Sequence, residues 1–343
     1  MRQTLKHKYW PDIVREVFPR AEIYDAALKF PITEFGWDVH APRSTMFCNF
    51  ADPEYRLVLN LQDMLTAHHR DSKWPSELVK LEQHFKKNDF PLNQIIVLVW
   101  PLGIKKDWPK DSFKLIEFSS HQYETWCSYK DAEDVLREAF SPEHKDFEYN
   151  FVCPQRIYKP HRAALQSSLN DRLGNISLQT KGIELKYPNL SVKEYDDTYD
   201  NLANLLAMRK NYNTALFTIV SESQYSEEYG IITEKTFNAI VAGHPFLMCA
   251  HRLALEHIRH YNFYTYNSIF DEAYDELDNV VRMKDMIDSN YAFTSEPLSA
   301  VEMQKIWEDT RGIIDYNRNY FFEQFGYQMI DELRMDLLNL WGK

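Results

Sequence analysis

Glycine is scarce in this chain: there are nine in 343 residues, and no two are spaced as G-x-G. A dinucleotide fingerprint and a P-loop both need glycines where backbone approaches phosphate, so both are excluded. Cysteine is scarcer still. Cys48, Cys127, Cys153 and Cys249 are spread widely with no C-x-x-C pair, which argues for a reduced chain rather than a disulfide scaffold or a zinc site. No apolar run approaches the ~20 residues that span a bilayer. The opening "MRQTLKHKYWPDIV" lacks the apolar stretch of a signal peptide, so a soluble cytoplasmic protein without a membrane span is expected. Basic residues are outnumbered, 39 Lys and Arg against 51 Asp and Glu, for a formal net charge of -12. That weighs against a large nucleic-acid-binding surface but leaves room for a local basic groove.

What is present supports folded cores: 44% of the residues are hydrophobic and 15% aromatic, far from a disordered composition. The length suits about two domains. In the first half, "YRLVLNLQDML" (55–65), "NQIIVLVWPLG" (93–103) and "KLIEFSS" (114–120) read as strands. "PSELVKLEQHFKKN", with Ser76 as N-cap, and "YKDAEDVLREAF" (129–140) read as helices. The polar stretch "SPEHKDFEYN" (141–150) marks the boundary between a domain at 1–145 and another at 146–343.

The second half opens with "FVCPQRIYKPHRAALQSSLNDRLGN": a short strand, a basic loop, then a helix closed by Gly174. "ALFTIVSES" follows as a strand. Thr233 is a natural N-cap, "EKTFNAIVA" a helix, Gly243 its C′ residue, and Pro245 a stop. "FLMCA" is then a buried strand, "HRLALEHIRHY" a helix and "FYTY" a further strand, with terminal helices in 303–325 and 327–341. Strands alternating with short helices predict an α/β fold with parallel sheets.

In such sheets ligands gather outside the carboxyl ends of strands, where loops meet helix N-termini. "SES…TEK" occupies that place. Lys235 falls in the first helical turn, where the helix dipole disfavours a cation unless an anion joins it. Glu234 can accept from vicinal hydroxyls such as those of a ribose. Glu222 and Ser223, at the strand end, face the same crevice. Thr233-Glu234-Lys235 is equally readable as a capped, solvated helix start, and spacing leaves the two open. Arg156, Lys159, His161 and Arg162 form the densest basic cluster before a helix, and an arginine fork can grip a pyrophosphate bidentately. A solvated loop is the alternative there.

"SES…YGIITEKTFNAIVAGHPF" resembles the donor-binding motif of the α1,3-fucosyltransferases, in which an F-E-N strand end precedes T-E-K and then A-L-x-A-G-x-V-P-V. It is also similar to phage and bacterial glycosyltransferase-like proteins that carry K-P-H-R upstream and D-E-S-Y-D downstream, matched here by Lys159 to Arg162 and by "DEAYD" (Asp271 to Asp275). The likeness spans roughly Phe151 to Arg282. It implies a GT-B arrangement, two Rossmann-like domains facing across a cleft, with the C-terminal one holding a nucleotide-diphosphate sugar. By that likeness Lys235 and Arg162 contact the diphosphate and Glu234 the ribose. F-E-N is "SES" here and V-P-V is "HPF", so the motif secures neither sugar nor base, and a GDP- or UDP-sugar is expected.

The D-x-D pair that holds metal and diphosphate in the other large glycosyltransferase fold is missing, which favours metal-independent transfer, with Lys and Arg stabilising the departing diphosphate. For an inverting reaction, Glu34 and Asp38 in "ITEFGWDVHAPRS", or Asp63 and His69, are base candidates. The acceptor hydroxyl could belong to a glycan, a protein or a modified DNA base, the last not favoured by the net charge. His68-His69 has no third ligand at a recognisable spacing, "YDDTYD" (195–200) reads as an acidic loop, Asp271 to Asp275 as a helix start that Arg282 pairs with, and Trp37 and Trp100 as core or sugar-stacking rings. The competing expectation is a non-catalytic α/β binding or assembly protein. Another phosphate-handling enzyme, such as a nucleotidyltransferase, is a third.

Overall fold

The computed structural model describes residues 10–25, 51–61, 74–87, 89–99, 108–155, 159–170, 172–177, 201–223, 225 and 230–340. They form a mixed α/β architecture with two parallel sheets, and the chain divides into two compact units: Met1–Glu124 with Gly326–Lys343, and Thr125–Phe325.

The first unit carries β1 (Ala21–Asp25), β2 (Arg56–Asn60), β3 (Ile95–Val99) and β4 (Lys114–Glu117), all parallel and adjacent in that order. "IIVLV" is buried at every position. A parallel strand covered on both faces needs such a continuous apolar run rather than alternation. Helix α1 (Trp10–Val17) packs on α13 (Gly326–Leu340). Helix α2 spans Trp74–Lys87, so Ser76 is not its N-cap. The helix starts three residues earlier than that cap implies, because Pro75 is tolerated in a first turn that has no amide partner to lose.

In the second unit the strand order is β6-β5-β7-β8: Gly174–Ser177, Tyr149–Pro154, Ala215–Ser221 and Phe246–Cys249, again parallel. α5 (Pro160–Ser168) lies between β5 and β6 in the chain, and α8 (Glu234–Val241) between β7 and β8. The expected helix at 129–140 is two helices, α3 (Ser120–Asp131) and α4 (Glu133–Ala139). α6 (Asn201–Ala207) and α7 (Arg209–Asn213) lead into β7. α9 (Ala254–His260), α10 (Asn279–Ser289), α11 (Tyr291–Thr294) and α12 (Ala300–Tyr320) follow β8. α12 opens with a capping box of Ser299 and Glu302 and runs through a π-helical turn, Phe321–Phe325, into α13.

Two expectations in this unit are corrected. Gly174 does not close a helix; it begins β6, where a Cβ would lie 2.1 Å from the ring of Phe151 on the paired strand. "FYTY" is not a strand. Its backbone groups are taken locally and by side chains: the Phe263 amide donates to Ile258 O at 3.2 Å, Tyr264 donates to Asn317 Oδ1 at 2.9 Å and accepts from Asn317 Nδ2 at 2.8 Å, and Tyr266 donates to Glu272 Oε1 at 2.7 Å and accepts from the Phe270 amide at 2.9 Å. With those groups taken, no ladder forms.

Among the described residues, no helix is long and apolar enough to cross a membrane.

Candidate functional site at the end of strand β7

Strand β7 is buried along its whole length and ends at Ser221. A β-extended Thr233 then caps α8, its hydroxyl accepting from the amide of Lys235 at 3.5 Å. At the other end of α8, Gly243 adopts φ +67°. Its amide donates to Ile240 O at 3.1 Å and that of His244 to Ala239 O at 3.0 Å. These are the two bonds of a Schellman stop, which needs a left-handed residue. The spacing from "TEK" to Gly243 therefore fixes where the helix begins and ends, and so where Lys235 stands.

Glu222 is fully buried and is turned toward the helix start. Oε1 accepts from the Thr233 amide at 3.0 Å and the Thr236 hydroxyl at 2.6 Å. Oε2 accepts from the Thr233 hydroxyl at 2.5 Å and the Ser223 amide at 3.2 Å. A carboxylate at a helix N-terminus satisfies orphan amides and complements the dipole. Its geometry is that of a brace between strand and helix.

The cations come from α8 and from the start of α5, where Pro160 takes the first helical position after Lys159. Lys235 Nζ donates to Ser223 Oγ at 3.1 Å, Thr233 Oγ1 at 3.2 Å and Glu234 Oε1 at 2.6 Å. The Lys159 ammonium donates to the carbonyl of the same Ser223. Two ammonium groups thus converge on one residue at the strand end. Burial, then Arg162 and Lys235, pull the Lys159 pKa down to about 8. Arg162 lies deeper, 2% exposed, and donates to the carbonyls of Ser221 at 3.2 Å and Glu222 at 3.3 Å.

His161 lies within 3.1 Å of the Glu222 carbonyl through Nε2. Burial lowers its pKa to about 4, so the ring is neutral at pH 7 and Nε2–H is the donor. Its face stacks on Tyr225, with centroids 5.4 Å apart, and the Arg282 guanidinium lies 4.7 Å from the centroid of that tyrosine ring. Tyr225 was not singled out from the sequence. A lone aromatic in a polar loop carries no periodic signal.

The structure therefore brings together Lys159, Arg162, Glu222, Ser223, Thr233, Glu234 and Lys235. Arg156, Glu34 and Asp38 lie outside the described residues, as do Asp63, His68, His69, Trp37, Trp100 and the acidic run 195–200. The downstream "DEAYD" element is structural. Asp275 Oδ2 accepts from the Leu255 amide at 3.0 Å near the start of α9. Arg282 donates to the carbonyls of Ala250 at 3.1 Å and Leu277 at 2.7 Å, and of the pairing expected with Asp271 to Asp275 the structure has the pull of its charge on the Asp275 carboxyl.

Comparison of the chain with protein-family models, characterised proteins and solved structures returns no match.

Proposed function

We propose that the chain is a metal-independent glycosyltransferase of GT-B organisation, moving a sugar from a nucleotide-diphosphate sugar to an acceptor hydroxyl. The observation that carries this reading is the convergence of the Lys159 and Lys235 ammonium groups on Ser223. Like charges held together at a helix N-terminus, outside the carboxyl end of a parallel strand, gain most from an anion that joins them. The ordered likeness of "KPHR", "TEK" and "DEAYD" to glycosyltransferase elements gives that anion its identity, the diphosphate of a GDP- or UDP-sugar.

In the reaction the acceptor oxygen bonds to the anomeric carbon as the bond from that carbon to the diphosphate oxygen breaks. The acceptor proton passes to a carboxylate, for which Glu34 and Asp38 are the candidates. Lys235 and Lys159 offset the charge growing on the departing diphosphate. Glu234 accepts from ribose hydroxyls, and Arg162 fixes the strand end against which the phosphates lie. The acceptor is a glycan, a protein or a modified DNA base.

A thermal-shift panel of UDP-, GDP-, ADP-, CMP- and dTDP-sugars, with and without magnesium, on wild type and Lys235→Ala tests the reading. One nucleotide sugar stabilises the wild type, and the shift is lost in a variant whose unliganded melting temperature is unchanged. A panel without a shift, or an equal shift in the variant, overturns the phosphate role.

The second reading is a non-catalytic α/β binding or assembly protein. It draws on the closure of the site upon itself, since Glu222 and Lys235 are already served by Ser223, Thr233, Thr236 and Glu234. Donor binding without release of nucleoside diphosphate over a range of acceptors would favour it.

A further inference from the structure

Beyond β8, at the carboxyl end of the same sheet, two histidines form a pair that the proposed reaction does not use. β8 ends at Cys249, in register with Ser221 of β7. His251 follows on the turn into α9, which supplies His257. His251 Nε2 lies 2.9 Å from His257 Nδ1, so one of the two facing nitrogens carries a proton and the other accepts it. His251 is 1% exposed, and its Nδ1, also buried, has no hydrogen-bond partner among the described residues. The turn that places this ring is itself costly. Leu253 stands at φ +63°, a left-handed conformation that costs about 1–2 kcal/mol in a residue with a side chain, and its amide is held by Asp275 O at 2.9 Å.

The pair rests against Gly230. A Cβ there would lie 2.2 Å from His251 Nε2 and 2.2 Å from His257 Nδ1, the two atoms of the hydrogen bond itself, so only bare backbone fits over the joined rings. From Gly230 the chain runs through Ile231 and Ile232, both buried, to Thr233, whose amide donates to Glu222 Oε1 at 3.0 Å and whose hydroxyl caps the helix of Lys235. A close-packed segment this short transmits a displacement of Gly230 to the helix start. The surrounding charges decide what an added proton meets. Arg282, from α10, bears on His251. Asp275, from the 3-10 turn Ala273–Glu276, is turned to the amides of Leu255 and Glu256. Arg259 pairs with Glu272 at 3.0 Å, Glu234 pairs with Lys235 at 2.6 Å, and Glu256 and His260 are exposed. Burial, then His257 and Arg282, hold the His251 pKa well below 6.5. Protons on both facing nitrogens would set two N–H groups against each other at 2.9 Å.

We propose that the His251–His257 pair is a positioning device for the anion site: joined, it seats Gly230 and so holds Thr233 and Lys235 in place; in acid it takes up protons, parts and releases that segment. The proposal rests on the reading of "TEK" as a phosphate-binding helix start and adds a control by pH to it. Neither histidine touches the donor in this role. The sign follows from linkage. Parted rings take up protons at the ordinary histidine value of 6.5, and joined rings resist them. The joined form is therefore favoured in full above that pH and loses up to about tenfold per pH unit below it for each linked proton.

Amide hydrogen exchange on the unliganded protein, and calorimetric titration of UDP-glucose and GDP-fucose, test it at pH 7.5 and 5.5. Nucleotide sugars serve because their diphosphates carry the same charge at both. Wild type is compared with His257→Gln, whose amide bonds to His251 without titrating, and with Gly230→Ala, whose methyl forces the rings apart at either pH. Protection of amides 231–236, corrected for intrinsic rates, is expected to fall about tenfold in wild type at pH 5.5 and less than about twofold in His257→Gln. Affinity for the nucleotide sugar that binds falls in parallel, and Gly230→Ala shows the lower protection already at pH 7.5. Wild-type protection equal at the two pH values would overturn the proposal. So would an equal fall in His257→Gln, which would assign the titration to Asp275, whose pKa burial raises to about 6. Protection that falls while affinity holds would remove the pair from any role in the site. If neither nucleotide sugar binds at pH 7.5, the glycosyltransferase reading fails, and the exchange measurements alone decide whether the pair seats Gly230.

Discussion

Ser223 is where the residue scale is most informative. Its carbonyl and hydroxyl each hold a lysine, while its amide holds Glu222. The lysines are not equivalent. Lys159, lowered to about 8 from an ordinary value of 10.5 by burial and by Arg162 and Lys235, titrates within an accessible range, and two opposite trends follow. Without ligand, the unfolded chain holds this proton more tightly than the folded one, so the Lys159 contribution to stability increases as pH rises from about 8 towards 10.5. Diphosphate affinity moves the other way, because the charged ammonium is the binding form. It falls above about pH 8 by at most about tenfold per pH unit for one linked proton. Titrating nucleoside diphosphate between pH 7 and 9.5 on wild type and Lys159→Arg checks this. Arginine stays charged throughout, so the variant's affinity is flat over the same range, and a wild-type profile equally flat would remove Lys159 from the site.

At the scale of elements, β7, α8 and β8 act as one device: the strand carries Glu222 to the helix start, and Gly243 ends the helix so that β8 can return parallel. Gly243→Ala puts a β-carbon on a residue at φ +67° and 3.3 Å from Arg318 Cδ and Ile314 Cγ2. A left-handed alanine costs about 1–2 kcal/mol, and urea unfolding should show that loss with an unchanged m-value. This device was legible in the sequence because cap, apolar stripe, Gly and Pro follow one another within fifteen residues, each a local signal. β2, β3 and β4 were legible for a similar reason, as compact apolar runs. α3 was not. "SHQYETWCSYKD" turns His121, Glu124 and Ser128 outward at helical spacing, but its buried positions mix Gln122 and Thr125 with Tyr123, Trp126, Cys127 and Tyr129, so the burial stripe has no matching hydrophobic stripe to read. "FYTY" misled in the opposite sense: its β-branched and aromatic composition suits a strand, but Asn317, distant in sequence, and Glu272, six residues on from Tyr266, take backbone groups that a ladder would need. In the site, the basic cluster and "TEK" were visible, whereas the inward turn of Glu222 onto Thr233 and Thr236 depends on the register of β7 against β8, which spacing alone does not give.

For the whole molecule, the question is where a ligand's free energy is felt. The candidate site belongs to the unit Thr125–Phe325, at the carboxyl end of β7. A ligand at about 100 times its Kd stabilises the state that binds it by about 2.7 kcal/mol, and that energy slows opening only in segments whose opening destroys the site. Hydrogen exchange with a saturating nucleotide sugar should therefore slow the amides of 159–168 and 230–241, by up to about a hundredfold, and leave β2 and β3 of the other unit as they were. Exchange unchanged at 230–241 with every nucleotide sugar would leave Glu222, Thr233 and Lys235 as the brace of a helix start and nothing more.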